Sequence, residues 1–247
     1  MSAEKTEAIV IRLADFSNTS RVVTFFTRDF GKVGAIAKGS KRLKGPFDSA
    51  LDLLSTCRIV FLRKSSSALD ILTEASLRER FRPAAGDMNG YYAGCYIAEL
   101  LAGLTEPYDP HPELFDAATE VLNTLSQGGD FRLPVLAFEL RVLQEIGQLP
   151  SFDECIHCGV AIESRGSASF WMSQGGLLCP NCQQEEYSDH PIQGGTVAIL
   201  RALSTDLGSR SRITASDRQL REMRHTLTSA VSAILGRRPS TLRYLRF

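Results

Sequence analysis

Two close pairs of cysteines constrain this chain more than any other feature: Cys155-Ile156-His157-Cys158 and Cys179-Pro180-Asn181-Cys182, a C-x2-C-x20-C-x2-C arrangement. Two residues between thiolates let both sulfurs of a pair turn toward one point. Two such pairs supply four soft ligands at the corners of a tetrahedron. Gly159 follows the first pair and Pro180 sits inside the second, both suited to the tight turns required. The spacing predicts one structural zinc ion held by Cys155, Cys158, Cys179 and Cys182. Two disulfides, or a finger that has lost its metal, are the alternatives. Four thiolates leave no open position for water, so zinc catalysis is not expected.

A chain of 247 residues with 43% hydrophobic content can bury a sizeable core, in one large domain or two to three small ones. It has no run of 18 apolar residues, and its first residues are polar, which argues against a membrane span and a secretory leader. A cytoplasmic protein is expected, where disulfides are rare. Cys57 and Cys95 lie in apolar segments and read as small buried hydrophobes. Net charge is zero, but it is unevenly spread. Residues 1–80 hold 14 Lys+Arg against 9 Asp+Glu, residues 81–150 hold 3 against 10, and residues 151–247 hold 11 against 9. A basic front, an acidic middle and a mildly basic end suggest separate surfaces for separate partners.

Hydrophobic periodicity divides the chain. Residues 8–13, 21–27, 32–38, 56–62 and 69–74 are short β-branched or alternating runs, with Asp29-Phe30-Gly31 as a turn. Five such strands in about 70 residues suit a small closed barrel or a sandwich. From residue 88 the period changes. Helices are predicted near 88–104, from Pro112 to Gly128, from Pro134 to Gly147, over 196–207, and over 216–235 with Leu220, Met223, Leu227 and Ile234 inward. The fold class is thus α+β and multi-domain: an N-terminal barrel over 1–80, the first part of a helical domain over 81–150, an inserted four-cysteine zinc finger over 151–189, and the second part of the helical domain with a C-terminal tail over 190–247. The tail alternates basic and apolar residues, and Leu242, Leu245 and Phe247 are expected to dock it on the body.

After the cysteines, the strongest functional signal is Lys38-Gly39-Ser40-Lys41-Arg42-Leu43-Lys44-Gly45. Between Lys32 and Lys44 stand five basic residues and no acid. Glycines let backbone approach phosphate, and the cations displace counterions. On a loop after the third strand of a small barrel, Lys32, Lys38, Lys41, Arg42 and Lys44 are candidate DNA contacts, against the plainer reading of a solvated basic loop. Phe25, Phe26, Phe30 and Phe47 lie near enough in sequence to be weighed as base-stacking residues. Phe25 and Phe26 point to opposite faces of one strand, so at least one belongs to the core. No phosphate-binding loop, dinucleotide fingerprint or deaminase pattern is present, and His111, His157, His190 and His225 stand in unrelated contexts. The chain is expected to work by binding rather than catalysis.

These pieces together resemble the RecO family of bacterial recombination mediators. The resemblance rests on Ala8–Leu13, on Val23-Thr24-Phe25-Phe26-Thr27-Arg28-Asp29-Phe30-Gly31-Lys32 with Ala37-Lys38-Gly39-Ser40-Lys41-Arg42, on Phe138–Pro150, and on the four cysteines. It implies an N-terminal OB-fold barrel, a helical domain and a zinc finger. It further implies binding of single- and double-stranded DNA and annealing of complementary strands. With RecR, the family helps to load RecA onto DNA coated by single-strand-binding protein (SSB), whose C-terminal tail it contacts; the setting would be the cytoplasmic nucleoid. An acidic, apolar-ended tail needs a cation beside an apolar pocket, and Arg141, on a helix, is the candidate. The acidic middle would repel DNA and is expected to face core or protein. The rival readings are a zinc-ribbon transcription or RNA-processing factor and a structural adaptor.

Overall fold

The structure is a computed structural model that describes residues 2–42, 47, 50–64, 69–171, 174–183, 191–205 and 213–247. The chain divides into two compact units, Met1–Gly129 and Asp130–Phe247.

In the first unit, strands β1 (Ser2–Asp15), β2 (Arg21–Thr27), β3 (Gly31–Ala37), β4 (Thr56–Arg63) and β5 (Asp70–Glu79) close into a barrel in the order β1-β2-β3-β5-β4. All neighbours are antiparallel except β3 and β5, which pair in parallel from Ala35↔Asp70 to Ala37↔Leu72. The barrel forms because its strands alternate. In β3, Val33, Ala35 and Ala37 are buried, and the intervening residues are only partly covered. These side chains meet Val10, Phe25, Ile59, Phe61 and Leu72 in one apolar cluster. Each fully buried aliphatic or phenyl group contributes about 1.5–3 kcal/mol. β1 is longer than the apolar run alone suggests, because its polar first half pairs with β4 from Ser2↔Arg63 onward.

The Asp29-Phe30-Gly31 turn is built as expected. Thr27 Oγ1 donates to the Gly31 carbonyl (2.8 Å) and accepts from the Phe30 amide (3.1 Å), while Thr6 Oγ1 donates to Asp29 (2.6 Å). Two helices complete the unit, α1 (Met88–Leu104) and α2 (Pro112–Gln127). Asp87 caps α1 by accepting from the Gly90 amide at 2.8 Å, and Pro112 opens α2. Phe26, on the outer face of β2, stacks on Phe115 of α2 with 6.4 Å between ring centroids.

The second unit begins with α3 (Arg132–Glu145), continues through a four-stranded sheet of β6 (Ser151–Cys155), β7 (Ser167–Trp171), β8 (Gly176–Leu178) and β9 (Pro191–Gln193), and ends with α4 (Gly194–Thr205), α5 (Asp217–Leu235) and a 3-10 turn over Ser240–Tyr244. The sheet order is β6-β8-β7-β9. Ser216 and Gln219 form a reciprocal capping box at the start of α5. α3 is buried from Val135 to Leu143, including Glu139, whose carboxylate meets Arg224 of α5 at 2.6 Å. Leu242 and Leu245 are buried, and Phe247 lies edge-on to Phe131 at 5.3 Å, so the tail docks within its unit.

The helices of the middle and end of the chain therefore fall in different units: α1 and α2 with the barrel, α3 to α5 with the cysteine module. Ile234 departs from the expected stripe. It is 40% exposed, because burial on α5 stops at Val231 and the last turn is solvated.

Gly31 marks the closest approach in the first unit. Its φ is +63°, and a β-carbon there would lie 2.0 Å from the Asp109 carbonyl oxygen. Gly31→Ala is expected to cost about 2 kcal/mol or more, since both the backbone and its neighbour would have to move. Urea unfolding would check this through a lowered midpoint with an unchanged slope.

Candidate metal centre and nucleic-acid interface

The finger begins where β6 ends. The Cys155 carbonyl accepts from the Gly159 amide at 2.8 Å, and Gly159 has φ +71°, turning the chain so that Cys158 comes back beside Cys155. The second pair turns likewise, the Cys179 carbonyl accepting from the amides of Cys182 (3.0 Å) and Gln183 (3.1 Å). The four sulfurs lie within 4.8 Å of one another. Cys158 and Cys179 Sγ are 3.7 Å apart. A disulfide would need about 2.05 Å, whereas the edge of a tetrahedron with bonds of about 2.3 Å is about 3.8 Å. Cys155 and Cys179 are buried, Cys182 is half-buried and Cys158 is exposed.

The electrostatics fit a cation. Burial pushes the Cys155 thiol up, but backbone amides of Cys179, Cys158 and His157 aimed at its sulfur bring its pKa down to about 6 overall. Cys182 is pushed up to about 12, first by its hydrogen bond with Cys158, then by burial and the remaining thiols. Ionisation is thus favoured at Cys155 and opposed at Cys182. The four cysteines could hold a metal ion. His157 is exposed and is not one of the four.

Arg201 of α4 joins the finger to the helices of its unit. Its guanidinium donates to the carbonyls of Phe152 (2.6 and 2.9 Å), Asp153 (3.1 Å) and Ile162 (2.7 Å), and pairs with the Asp153 carboxylate at 2.9 Å. Sequence reading passes over this arginine. Nothing local marks it, because its partners lie some forty to fifty residues away.

The basic candidates part company. Lys38, Lys41 and Arg42 come together on the turn after β3, where the Arg42 amide donates to the Gly39 carbonyl at 3.1 Å and Gly39 has φ +76°. Lys38 and Arg42 are exposed. Lys41 is strapped to the β1–β2 hairpin: its amide donates to the Thr19 carbonyl (3.1 Å), and its ammonium pairs with Asp15 (2.8 Å). That hydrogen bond is the main reason the Asp15 carboxyl is held below its ordinary pKa. Lys44 lies outside the described residues.

Lys32 is not part of this group. It stands at the other end of β3, about 20 Å away at roughly 3.3 Å per residue. Its ammonium donates to the carbonyls of Ala102 (2.7 Å) and Thr105 (2.5 Å) at the carboxyl end of α1, and burial lowers its pKa. A cation is favoured there by the helix dipole.

Three of the aromatic candidates are interior and the fourth, Phe30, is partly covered. Phe25 and Phe26 are fully buried, Phe47 is 6% exposed, and Phe30 packs edge-on against Phe61 at 5.5 Å. Arg141 is buried on α3 and pairs with Glu145 at 2.6 Å. Elsewhere in the second unit, Arg221, Arg224, His225 and Arg238 line an open cavity of about 410 Å³ that Phe247 also borders.

A closed five-stranded barrel bearing a strapped basic turn, and a separate unit carrying a four-cysteine cluster, define a protein of two modules. Two family models cover nearly all of it: Recombination protein O N terminal matches residues 1–81, and Recombination protein O C terminal matches residues 85–243. The chain belongs to the RecO family. It is 44% identical over 200 residues to the DNA repair protein RecO of Rhodopirellula baltica, covering 81% of this chain and 74% of the relative. It is 31% identical over 246 residues to the protein of the same name from Anaeromyxobacter dehalogenans, covering 99% and 96%. The Bacillus pumilus protein of that name is 29% identical over 226 residues, covering 90% and 86%.

Removing the Arg201 fork should loosen the finger without touching its thiols. Arg201→Ala is expected to destabilise the second unit by about 2 kcal/mol, the scale of one or two charge-assisted hydrogen bonds. Arg201→Lys should recover only part of that, since an ammonium cannot span three carbonyls. Proteolysis of the native state near residues 155–182 would report the loosening.

Proposed function

We propose that this protein acts in DNA repair and homologous recombination as a mediator that holds DNA strands without chemically altering them, and that the zinc-loaded finger is a structural part of it. The observation that carries the reading is the turn at residues 38–42, fixed to the β1–β2 hairpin at one end of the barrel by the Thr19 and Asp15 contacts of Lys41. Exposed Lys38 and Arg42 stand on that fixed turn. The strand order and closure agree with an OB fold, in which the loop between the first two strands commonly meets single strands. Lys38, Lys41 and Arg42 would contact phosphates, and Lys44 of the same run would extend them. Lys32 would instead serve the fold. Both single- and double-stranded DNA offer the phosphates this surface requires.

Annealing follows from screening. Two complementary strands repel, and cations bound to one lower the cost of bringing up the other, with no nucleotide hydrolysis needed. Loading of RecA would depend on RecR and on the tail of SSB, as for the family. For that acidic, apolar-ended tail the open cavity lined by the exposed Arg221 and Arg238 and bordered by Phe247 is a better fit than Arg141, which is buried. Among the described residues no helix is long and apolar enough to cross a membrane, which suits action in the cytoplasm on nucleoid DNA.

Zinc is the ion of choice for four thiolates at these spacings. One zinc per chain is expected after purification without chelator, and Cys158→Ser should release it and destabilise the second unit. Less than about 0.2 zinc per chain, with all four thiols readily alkylated in the native protein, would overturn this. The functional test is annealing of SSB-coated complementary oligonucleotides, with and without ATP. The rate should rise with protein and be indifferent to ATP. The doubly substituted Lys38→Ala, Arg42→Ala protein should anneal more slowly. It should also bind single strands of unrelated sequence with a log–log salt slope shallower by roughly 0.7 for each phosphate no longer neutralised. A rate equal to the protein-free rate would remove annealing, and a marked sequence preference would favour a zinc-ribbon transcription or RNA-processing factor.

A further inference from the structure

Phe16 is the large hydrophobic side chain most open to solvent among the described residues, 59% exposed at the tip of the β1–β2 hairpin. An isolated exposed phenyl on a loose loop would need no explanation. This one is on a fixed support. The amides of Phe16 and Ser17 both donate to the Ser20 carbonyl at 3.1 Å, and the Ser20 amide donates to Ser17 Oγ at 3.2 Å. One residue before Phe16, Asp15 pairs with Lys41 and, more loosely at 3.7 Å, with Arg21. Three residues after it, the Thr19 carbonyl holds the Lys41 amide. The phenyl therefore rides on the same rigid corner as the basic turn, with Lys38 and Arg42 exposed beside that strap.

We infer that Phe16 is a base-stacking platform that takes an unpaired nucleobase while the 38–42 turn holds the adjoining phosphates, giving the corner a preference for single strands over duplex. The inference deepens the strand-binding reading above and rests on it. A phenyl ring has an apolar face available to any base, so stacking adds affinity without sequence preference. In a duplex the bases are already stacked on one another and only phosphates are offered, so the ring gains nothing there. The occupant is set by the neighbours. Cations held at a backbone-anchored turn select a polyanion, and an aromatic face next to them selects a polyanion whose rings are free. Of the four aromatic residues nearest the basic run in sequence, Phe25, Phe26 and Phe47 are buried, and the partly covered Phe30 is packed edge-on against Phe61 of the barrel core. Phe16 itself sits among polar residues, Asp15 before it and Ser17-Asn18-Thr19-Ser20 after it, and a single apolar residue in so polar a turn is the signal that sequence offers.

The test compares two strands of equal phosphate count, an oligothymidylate and the same length of abasic sites, using fluorescence anisotropy on the full chain. Wild type should bind the thymidylate more tightly. Phe16→Ala should weaken thymidylate binding by about 5- to 100-fold, leave abasic binding and the salt slope unchanged, and leave thermal stability unchanged. Phe16→Trp should restore thymidylate binding, and Phe16→Leu should resemble Phe16→Ala. Equal weakening on both strands, or no weakening on either, would overturn the stacking role while leaving strand binding by the turn intact. Failure of wild type to bind either strand would overturn the strand-binding reading itself, and the stacking role with it.

Discussion

The barrel depends on a narrow seam. β3 and β5 touch over only three residues each, and β5 enters that contact at Asp70, which is 1% exposed. A carboxylate so deeply placed must be hydrogen-bonded on both oxygens or the seam would be a liability. It is: one oxygen accepts from the Lys64 amide at 2.9 Å, and the other from the Tyr108 hydroxyl. Burial first, and then this bond, raise the pKa of the Tyr108 phenol, keeping the donor protonated. Arg63 lies over the Tyr108 ring at 4.2 Å, adding a cation–π contact to the same knot. The end of β4, the start of β5 and the connection between α1 and α2 thus converge on one carboxylate. Were the seam open, the end of β3 and the start of β5 would be unpaired edges.

Much of this was legible in the sequence because periodicity is a local property. The five alternating runs became five strands, and the helical stripes became helices, with α2 opening at Pro112 as expected. The cysteine spacing foretold four converging sulfurs for a similar reason: a pair separated by two residues has few ways to turn. What sequence could not convey was the partner of each charge. Lys32 counts as one of five basic residues in a run, yet its ammonium closes the end of a helix seventy residues further on. Arg141 reads as one of three cations in an acidic stretch, yet it is buried on α3 against Glu145. Phe25 and Phe26 read as opposite faces of one strand with at least one of them in the core, and both are buried because α2 packs on Phe26. Each depends on a pairing distant along the chain or on which face of a helix turns inward, and a linear pattern carries neither.

The two units put their cations to different uses. In the first, lysines and arginines at the exposed turn remain near solvent, and a carboxylate fixes one of them in place. In the second, several arginines brace the fold. Arg224 meets the fully buried Glu139 and lies over the Phe247 ring at 4.8 Å, while Arg132 bridges Asp130 at 2.7 Å and Asp217 at 2.8 Å. Arginine suits this work because its planar fork reaches two acceptors at once and stacks on rings. Zero net charge is therefore not the absence of electrostatic organisation. It is the balance of 28 cations against 28 carboxylates that are unevenly spread along the chain.

The joint made by Arg201 has a consequence for how such a protein can change. Three of its acceptors are main-chain carbonyls, which every amino acid supplies. The anchor consequently recognises the path of the finger's backbone far more than its side chains. Residues along the finger's outer surface can drift, or a whole metal-binding module of the same backbone course can be exchanged for another, while the socket on α4 stays as it is. The finger is in this sense an interchangeable fitting, and lineages can retool its surface without redesigning the body that carries it.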